Sequence, residues 1–385
     1  MGKLKNLLMT EAISHLCRIQ PDPYVWVFSS TENRHYNYNS RYLFEYVREN
    51  LPQITPLFVI NDPQLREKLA GEYGAQYFIE TDSAAGIRRV LGAGVWFTSA
   101  GLPAYGTNLR RSRLIINLWH GVPLKKIALL DPNLNSGARL YFRKIFSENY
   151  TCVLTTSRKL APLMAESFAI PEKRIKVWGQ PRNDGMFAPK DRQAVLAGIY
   201  GELPSYKKAA LYAPTFRDGG SVRLFPFEDF DLERLDAFLE QEQLLLFIRT
   251  HVMEQASAAP YLGERVRFLG NEEAEDVTGI LDIFDALVTD YSSIYIDYLL
   301  TDHPMIFLPY DKEEYLKDRG MNFDYDEVTP GPKPETMEAF LSALKEDGAS
   351  WKAERDRVNA LFNEIQAPCA GDICRRVLKK LPGRP

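Results

Sequence analysis

Two histidines stand at the ends of apolar stretches that are typical of strands, one in each half of the chain. His120 closes the run RLIINLWH (113–120) and is followed by Gly121, whereas His251 closes LLLFIRTH (244–251). Because ligands bind outside the carboxyl ends of parallel strands, this placement predicts two imidazoles at binding edges. Histidine titrates near neutral pH and therefore suits proton transfer or a phosphate contact. A single histidine at a strand end is usually structural, and the occurrence of two favours catalysis.

A polar cluster follows the short apolar run at 286–289. The next four residues, DYSS, include Asp290, Ser292 and Ser293 and precede an apolar repeat of helical spacing. This order predicts a strand that delivers two hydroxyls to the start of a helix. A helix N-terminus leaves backbone N–H groups unpaired and carries about half a positive charge, so it binds phosphate. The alternative is an ordinary capped turn between a strand and a helix.

Other candidates for holding the phosphates of a donor lie in GQPRND (179–184), after AALYAP (209–214) and before His251. The predicted donor-binding residues are Arg182, Asn183, Asp184, Thr215, Arg217, Arg249, Asp290, Ser292 and Ser293. Arginine forks onto phosphate oxygens, although a surface ion pair is the alternative for each one. The acidic pairs at 229–231 and 324–326 do not follow clear strands, and the chain has no GxGxxG after a strand and no GxxxxGK[ST]. We therefore predict no metal and no cofactor.

The composition is that of a globular protein with two domains. The chain has 385 residues, of which 45% are hydrophobic and 25% charged. No segment approaches the ~18 continuous apolar residues of a membrane-spanning helix, and no signal peptide is recognisable, so we expect a cytoplasmic protein. The four cysteines lack paired spacing and are expected to be reduced. A net charge of −4 argues against nucleic-acid binding.

Apolar runs alternate with helix-length segments in two series. Five runs lie between residues 24 and 157, and four more lie between 209 and 310. This alternation predicts the α/β class, with two Rossmann-like, doubly wound domains that face each other across a cleft. Glycines and prolines at 185–207 indicate the junction between the two domains, which we therefore predict to span residues 1–188 and 189–385. Residues 3–19 predict an amphipathic helix that packs on the first domain or, alternatively, lies on a membrane surface.

Several motifs together resemble the CDP-glycerol glycerophosphotransferase family of teichoic acid synthesis. In order along the chain they are NLWHGVPLKKI (117–127), GQPRND (179–184), LYAPTFRD (211–218), RTH (249–251) and DVTGILDIFDALVTDYSSIYIDYLLTDHPMIFLPYD (276–311). The chain departs from the expected motifs at Val122, Gln180 and Phe216, and none of these positions is a proposed catalytic group.

The resemblance implies a GT-B fold, with the acceptor bound by 1–188 and CDP-glycerol bound by 189–385. It implies transfer of glycerol phosphate, with release of CMP, to a polyprenyl-diphosphate-linked saccharide of wall teichoic acid or a related cell-surface polymer. On this basis His120 is the expected general base and His251 the second catalytic histidine, and the compact length favours a primase-like member. Alternatives are a CDP-ribitol-using or capsule polymerase relative, a GT-B glycosyltransferase or epimerase that uses a UDP-sugar, and a catalytically silent lipid-binding scaffold.

An acceptor anchored in the membrane implies peripheral association with the cytoplasmic face of the cell membrane. The predicted contacts are two basic clusters, Arg110, Arg111 and Arg113, and Arg139, Arg143 and Lys144. The second cluster is mixed with aromatic and aliphatic residues, a combination that suits an anionic lipid surface. The alternatives are core positions with a solvated basic rim, and the helix at 3–19 as the element that contacts the membrane.

Overall fold

The computed structural model describes residues 2–188, 190–217, 222–250 and 254–382. The chain divides into two compact units, one comprising Met1–Asp184 with Glu364–Pro385 and the other Gly185–Asn363. Each unit is built on a parallel sheet flanked by helices, which confirms the predicted α/β class.

The first unit contains a seven-stranded sheet of order β3-β2-β1-β4-β5-β6-β7, in which all neighbours are parallel. The strands are β1 (Asp22–Ser29), β2 (Thr55–Val59), β3 (Phe78–Ile79), β4 (Ala93–Thr98), β5 (Leu114–Asn117), β6 (Cys152–Thr155) and β7 (Ile175–Val177). The helices are α1 (Lys3–Leu16), α2 (Tyr38–Asn50), α3 (Pro63–Tyr73), α4 (Ala84–Leu91), α5 (Ser136–Tyr141), which continues through a π-helical turn (Phe142–Phe146) into α6 (Ser147–Asn149), and α7 (Ala161–Phe168). Central strands such as β1 are apolar on both faces because helices cover both faces of the sheet.

The second unit contains a five-stranded parallel sheet of order β10-β9-β8-β11-β12. The strands are β8 (Lys208–Tyr212), β9 (Leu244–Ile248), β10 (Val266–Phe268), β11 (Ala286–Thr289) and β12 (Met305–Phe307). The helices are α8 (Arg192–Tyr200), α9 (Leu232–Gln241), α10 (Gln255–Ala258), α11 (Ile294–Tyr298), α12 (Lys312–Arg319), α13 (Tyr325–Val328), α14 (Met337–Lys345) and α15 (Lys352–Phe362).

The last helix, α16 (Ala370–Leu378), belongs to the first unit. Ile373, Cys374 and Val377 are buried in the core that surrounds β1. The prediction assigned the whole of 189–385 to the second domain, whereas the structure places Glu364–Pro385 with the first unit. The reason is that the apolar face of α16 packs against that core.

Helix α1 packs with polar side chains turned inward. Asn6 and Thr10 are buried, and the Asn6 side chain accepts the N–H of Tyr105 at 2.8 Å and donates to the carbonyl of Thr81 at 3.3 Å. The leucines on the outer side are exposed: Leu4 by 69%, Leu8 by 64% and Leu16 by 84%. The helix thus packs on the first domain as expected, but these three leucines of its apolar face stay outside, because hydrogen bonds to the neighbouring loops fix the polar face inward.

Candidate functional site

His120 lies in the turn after β5, at the carboxyl edge of the first sheet. Its Nδ1 is 2.7 Å from the carbonyl oxygen of Ser99, which follows β4. A carbonyl oxygen only accepts hydrogen bonds, so Nδ1 carries the proton and Nε2 is the unprotonated nitrogen of the neutral ring. The geometry therefore leaves Nε2 as the atom that can take a proton.

The surroundings of His120 also keep its imidazole neutral. Burial lowers the pKa of His120 to about 4; the bond to the Ser99 carbonyl opposes this shift, and the positive charge of Arg182 adds to it. The lowered pKa leaves the ring uncharged near pH 7, which is the state that a general base requires.

Two aromatic rings pack against the imidazole. The ring of Tyr38 stacks on His120 with centroids 5.1 Å apart, and the ring of Trp119 lies 4.1 Å away. Trp119 has φ 56° and Gly121 has φ 148°, so the chain reverses sharply at this point. The conformation of Gly121 is one that residues with a Cβ rarely adopt, which explains glycine there.

A buried serine network fixes the carbonyl that binds His120. The Oγ of Ser99 accepts the N–H of Ser40 at 2.8 Å, and the Oγ of Ser40 donates to the carbonyl of Ser29 at 2.7 Å. The two hydroxyl oxygens are 2.8 Å apart, and all three serines are fully buried. Strands β1 and β4 and helix α2 are thereby tied together beneath the imidazole.

Asn39 joins the turn of His120 to the GQPRND motif. Its buried Nδ2 donates to the carbonyl of Trp119 at 2.9 Å, and its Oδ1 accepts the N–H of Arg182 at 3.1 Å. Arg182 in turn donates from Nη1 to the carbonyl of His120 at 2.9 Å. Sequence reasoning missed Asn39, since an asparagine in the first turn of a helix is indistinguishable from an ordinary capping residue.

The three predicted donor-binding residues of GQPRND lie in the first unit, not in the predicted donor domain 189–385. Arg182 and Asn183 are buried. The two carboxylate oxygens of Asp184 accept the N–H groups of Cys369 and Ala370, each at 2.8 Å. Asp184 therefore caps α16, and the predicted donor contact of this residue stays a prediction.

Arg217 and Asp290, both predicted to bind the donor, neutralise each other in the second unit. Arg217 donates from Nη2 to Asp290 at 2.9 Å and from Nε to Asp311 at 2.7 Å. It also donates to the carbonyl of Thr215 at 2.6 Å, and its guanidinium lies 4.9 Å from the ring centroid of Tyr315. A guanidinium engaged in this way holds the loop after β8, and the predicted phosphate contact of Arg217 stays a prediction.

Arg249, at the end of β9, is engaged in the same manner. It donates from Nη1 to the carbonyls of Leu269, Gly270 and Ala274 at 3.1, 3.1 and 2.9 Å. These bonds fix the loop after β10, and the predicted donor contact of Arg249 stays a prediction. The predicted catalytic residue His251 lies outside the described residues.

The hydroxyl groups of three residues that were predicted to bind the donor lie at the neighbouring carboxyl ends of β8 and β11. The N–H of Thr215 donates to Asp290 Oδ1 at 2.8 Å, and its hydroxyl is buried with no hydrogen-bond partner among the residues described. Ser292 accepts the N–H of Ile294 at 3.3 Å, and Ser293 immediately precedes α11. Because α11 has only five residues, its dipole is shorter than the sequence pattern indicated.

The acidic pairs that imitate a metal site have structural partners. Asp231 caps α9, and Asp324 caps α13. Asp229 accepts the N–H of Met337 at 2.8 Å, and Asp326 forms an ion pair with Lys312. Across the described ranges, no group of three or more His, Cys, Asp or Glu side chains is placed to hold a metal ion.

The predicted membrane residues fall into two groups. Arg113 donates to the carbonyl of Leu91 at 2.9 Å and lies over the Trp96 ring, and burial lowers the pKa of Arg113 to about 10. Arg110 donates to the carbonyl of Glu148 at 2.6 Å, and Arg139 is half-buried and donates to the carbonyl of Leu134 at 3.2 Å. The side chains of Arg111, Arg143 and Lys144 are exposed. None of the helices described is long and apolar enough to cross a membrane.

A model of the family CDP-glycerol:poly(glycerophosphate) glycerophosphotransferase matches residues 12–380, nearly the whole chain. The chain belongs to this family. This match confirms the resemblance to the family that the sequence motifs indicated.

Among curated relatives, the chain is 28% identical over 278 residues to the teichoic acid poly(ribitol-phosphate) polymerase of Bacillus spizizenii, a match that covers 71% of this chain and 44% of the polymerase. It is 28% identical over 346 residues to the teichoic acid glycerol-phosphate transferase of Staphylococcus aureus, covering 85% of this chain and 84% of the transferase. The chain thus spans about half the length of the first polymerases it matches, at 44–47%, and most of the shorter transferase.

Among solved structures, a variant of the wall teichoic acid polymerase TagF soaked with CDPG matches with a TM-score of 0.75 and 23% identity, covering 98% of this chain and 97% of that one. At this identity the match establishes the fold, and the expected GT-B fold is confirmed.

Proposed function

We propose that this family member transfers glycerol phosphate from CDP-glycerol to a polyprenyl-diphosphate-linked saccharide and releases CMP. The observation that carries the proposal is the state of His120, a neutral imidazole whose tautomer leaves Nε2 as a base. Membership of a glycerophosphotransferase family supports the reaction, and the CDPG soaked into a TagF variant supports a CDP-linked donor.

In the proposed step, His120 Nε2 takes the proton of an acceptor hydroxyl while the hydroxyl oxygen attacks the phosphorus of the glycerol phosphate group. The bond from this phosphorus to the oxygen shared with the cytidine phosphate breaks, and CMP leaves with the electron pair. A positioned base contributes about a hundred- to ten-thousand-fold to such a reaction. His251 remains a prediction for the second catalytic histidine.

The second unit supplies donor contacts through Thr215, Ser292 and Ser293. Their hydroxyls donate to phosphate oxygens, and the buried hydroxyl of Thr215, which lacks a partner in the described part of the chain, gains one when the donor binds. Hydrogen bonds to charged groups contribute about 1.5–3 kcal/mol each, or about 10- to 150-fold in affinity. Calorimetry with CDP-glycerol should show this loss for Thr215→Ala and Ser293→Ala. Ser342→Ala, an exposed serine on α14, is the matched control.

Donor selectivity separates this proposal from its alternatives. A CDP-ribitol transferase would also release CMP but would prefer the longer polyol, and the ribitol-phosphate polymerase among the relatives keeps this option open. A glycosyltransferase or epimerase would consume a UDP-sugar instead. Parallel incubations with CDP-glycerol, CDP-ribitol and a UDP-sugar, read by nucleotide release, distinguish the three. Release of CMP chiefly from CDP-glycerol supports the proposal, and release of UDP alone contradicts it.

We further propose that α1 attaches the chain peripherally to the cytoplasmic face of the membrane. Its leucine stripe, Leu4, Leu8 and Leu16, faces outward, and the exposed residues Lys5 and Arg18 suit anionic headgroups. Arg111, Arg143 and Lys144, the exposed residues of the predicted basic clusters, can add to this attraction.

Sedimentation with phosphatidylglycerol vesicles tests the attachment. Replacing the three leucines of the stripe by glutamine keeps helix propensity and removes the inserting groups, so binding should fall at least tenfold. Leu262→Gln, at a leucine of the second unit that is 43% exposed, should bind like the wild type. Binding should also weaken as salt rises. If charge reversal at Arg143 and Lys144 abolishes binding while the leucine variant sediments normally, the contact lies on the basic segment instead of α1.

A further inference from the structure

The first unit contains a polar cavity of about 250 Å³ at the carboxyl ends of β1, β2 and β3. Helix α1 and the loops that follow these three strands form its walls. The residues that matter for its chemistry are Asn6, Glu32, Arg34, Asn61, Asp82 and Tyr105. Drug-sized ligands occupy about 300–1,000 Å³, so this cavity suits a smaller molecule.

Buried amides hold the walls of the cavity in place. Asn61 accepts the N–H of Thr81 at 2.7 Å and donates to the Thr81 hydroxyl at 3.1 Å. Asn6 accepts the N–H of Tyr105 at 2.8 Å, and Asn33 donates to the carbonyl of Pro103 at 3.0 Å. Because these bonds join α1, the strand ends and the 103–105 loop, the cavity is formed without a ligand.

The loop after β1 adopts an unusual conformation at this cavity. Glu32 has φ 55° and Asn33 has φ 58°, left-handed values that are uncommon for residues other than glycine. Residues held in this way concentrate at functional sites, where the surrounding structure maintains the strain. Here the strained turn places the exposed Glu32 side chain in the cavity wall.

The charge of the lining selects the class of ligand. Among the lining residues that the structure describes, Glu32 and Asp82 bring two carboxylates against the guanidinium of Arg34, so a phosphate meets net repulsion. Carboxylates accept short, strong hydrogen bonds from hydroxyl groups, and Arg34 can donate to hydroxyl or amide oxygens. Burial, with a smaller contribution from Glu32, raises the pKa of Tyr105 to about 12, so its phenol remains a donor. An uncharged molecule rich in hydroxyls matches this lining.

We propose that this cavity binds a sugar ring, with Glu32 and Asp82 accepting hydrogen bonds from its hydroxyls. The loop between residues 30 and 38 connects the cavity to the base, because Glu32 lines the cavity and Tyr38 stacks on His120. The identification of this sugar as part of the acceptor rests on the proposed transferase function. The proposal that the cavity binds a sugar is independent of that function.

Saturation-transfer NMR tests the site on the full chain, with glucose, N-acetylglucosamine and glycerol as separate probes and inorganic phosphate as an added competitor. The sugars should give signals, and phosphate should not reduce them. Replacing Glu32 and Asp82 together by alanine should lower sugar affinity at least tenfold. The matched control is Glu67→Ala with Glu166→Ala, which removes two exposed carboxylates of the same unit outside the cavity.

Absence of sugar binding, preference for phosphate, or equal affinity in the double variant and the wild type would overturn the proposal. If thermal melting shows that the alanine variant is unfolded, the variant Glu32→Gln with Asp82→Asn replaces it, because it keeps the shape of the two side chains. This variant should still lower the affinity for sugar several-fold. Unchanged affinity in this variant also overturns the proposal. The NMR measurement uses no CDP-glycerol, so its failure is separate from a failure of CMP release.

Discussion

Replacing His120 by alanine removes the only group that we assign as the acceptor base, and turnover should fall by about a hundred- to ten-thousand-fold. Affinity for CDP-glycerol should remain, since the proposed donor contacts are Thr215, Ser292 and Ser293. The pH dependence provides an independent test. Because burial lowers the pKa of His120 to about 4, protonation should abolish the base near pH 4, not near the usual 6.5.

The same pKa shift predicts a change in stability. Between pH 6.5 and 4 the unfolded chain binds a proton at His120 and the folded chain does not, so the free energy of unfolding must fall as the pH falls. A shift of this size corresponds to about 3 kcal/mol, and the contribution is fully present above pH 6.5. Urea unfolding of the wild type and of His120→Gln at pH 7 and pH 4.5 should show a larger acid-induced loss in the wild type.

The assay follows CMP release and acceptor modification from pH 4 to 8 at saturating CDP-glycerol. His303 provides a matched control, since its Nδ1 also contacts a backbone carbonyl, that of Phe284 at 2.8 Å, but in the second unit. His303→Ala should retain turnover. An acidic limb near pH 6.5 in the wild type, or a His120→Ala variant as active as His303→Ala, would refute the assignment.

Two further predictions concern side chains to which the structure gives a structural role. Arg217→Met should lower the free energy of unfolding by about 3–5 kcal/mol, because the carboxylates of Asp290 and Asp311 lose their partner. A loss below about 1 kcal/mol, measured by urea unfolding, would contradict this account. Asp184→Ala removes the cap of α16 and should cost about 0.5–2 kcal/mol, with faster amide hydrogen exchange at the start of that helix. Unchanged exchange at Cys369 and Ala370 would show that the cap contributes little.

The sequence identifies the central strands and the edge strand β12, whose run MIFLPY (305–310) stays apolar beyond the strand, but not the other three edge strands. Runs such as YVWVFSS and ALVTD coincide with β1 and β11, since strands covered on both faces are continuously apolar. The edge strands β3, β7 and β10 have only two or three residues, too few for a pattern to be recognised. The predicted strand 113–120 ends at Asn117, because the left-handed backbone of Trp119 already belongs to the turn.

The candidate site was predictable in position more than in detail. The strand-end location of His120 followed from its motif. The carboxylate partners of Arg217 and the carbonyl partners of Arg249 did not, because they lie 20 to 94 residues away in sequence and become neighbours only in the folded unit. The outward leucines of α1 were likewise hidden, since helical periodicity alone does not show that Asn6 and Thr10 are the buried residues.

Incubation with CDP-glycerol and a polyprenyl-diphosphate-linked saccharide, followed by mass measurement of the lipid product and identification of the released nucleotide, tests the proposed function most directly. The account predicts CMP together with an acceptor that is heavier by glycerol phosphate, and loss of both in His120→Ala. An unchanged acceptor mass without CMP release, under conditions where the protein is folded, would contradict it.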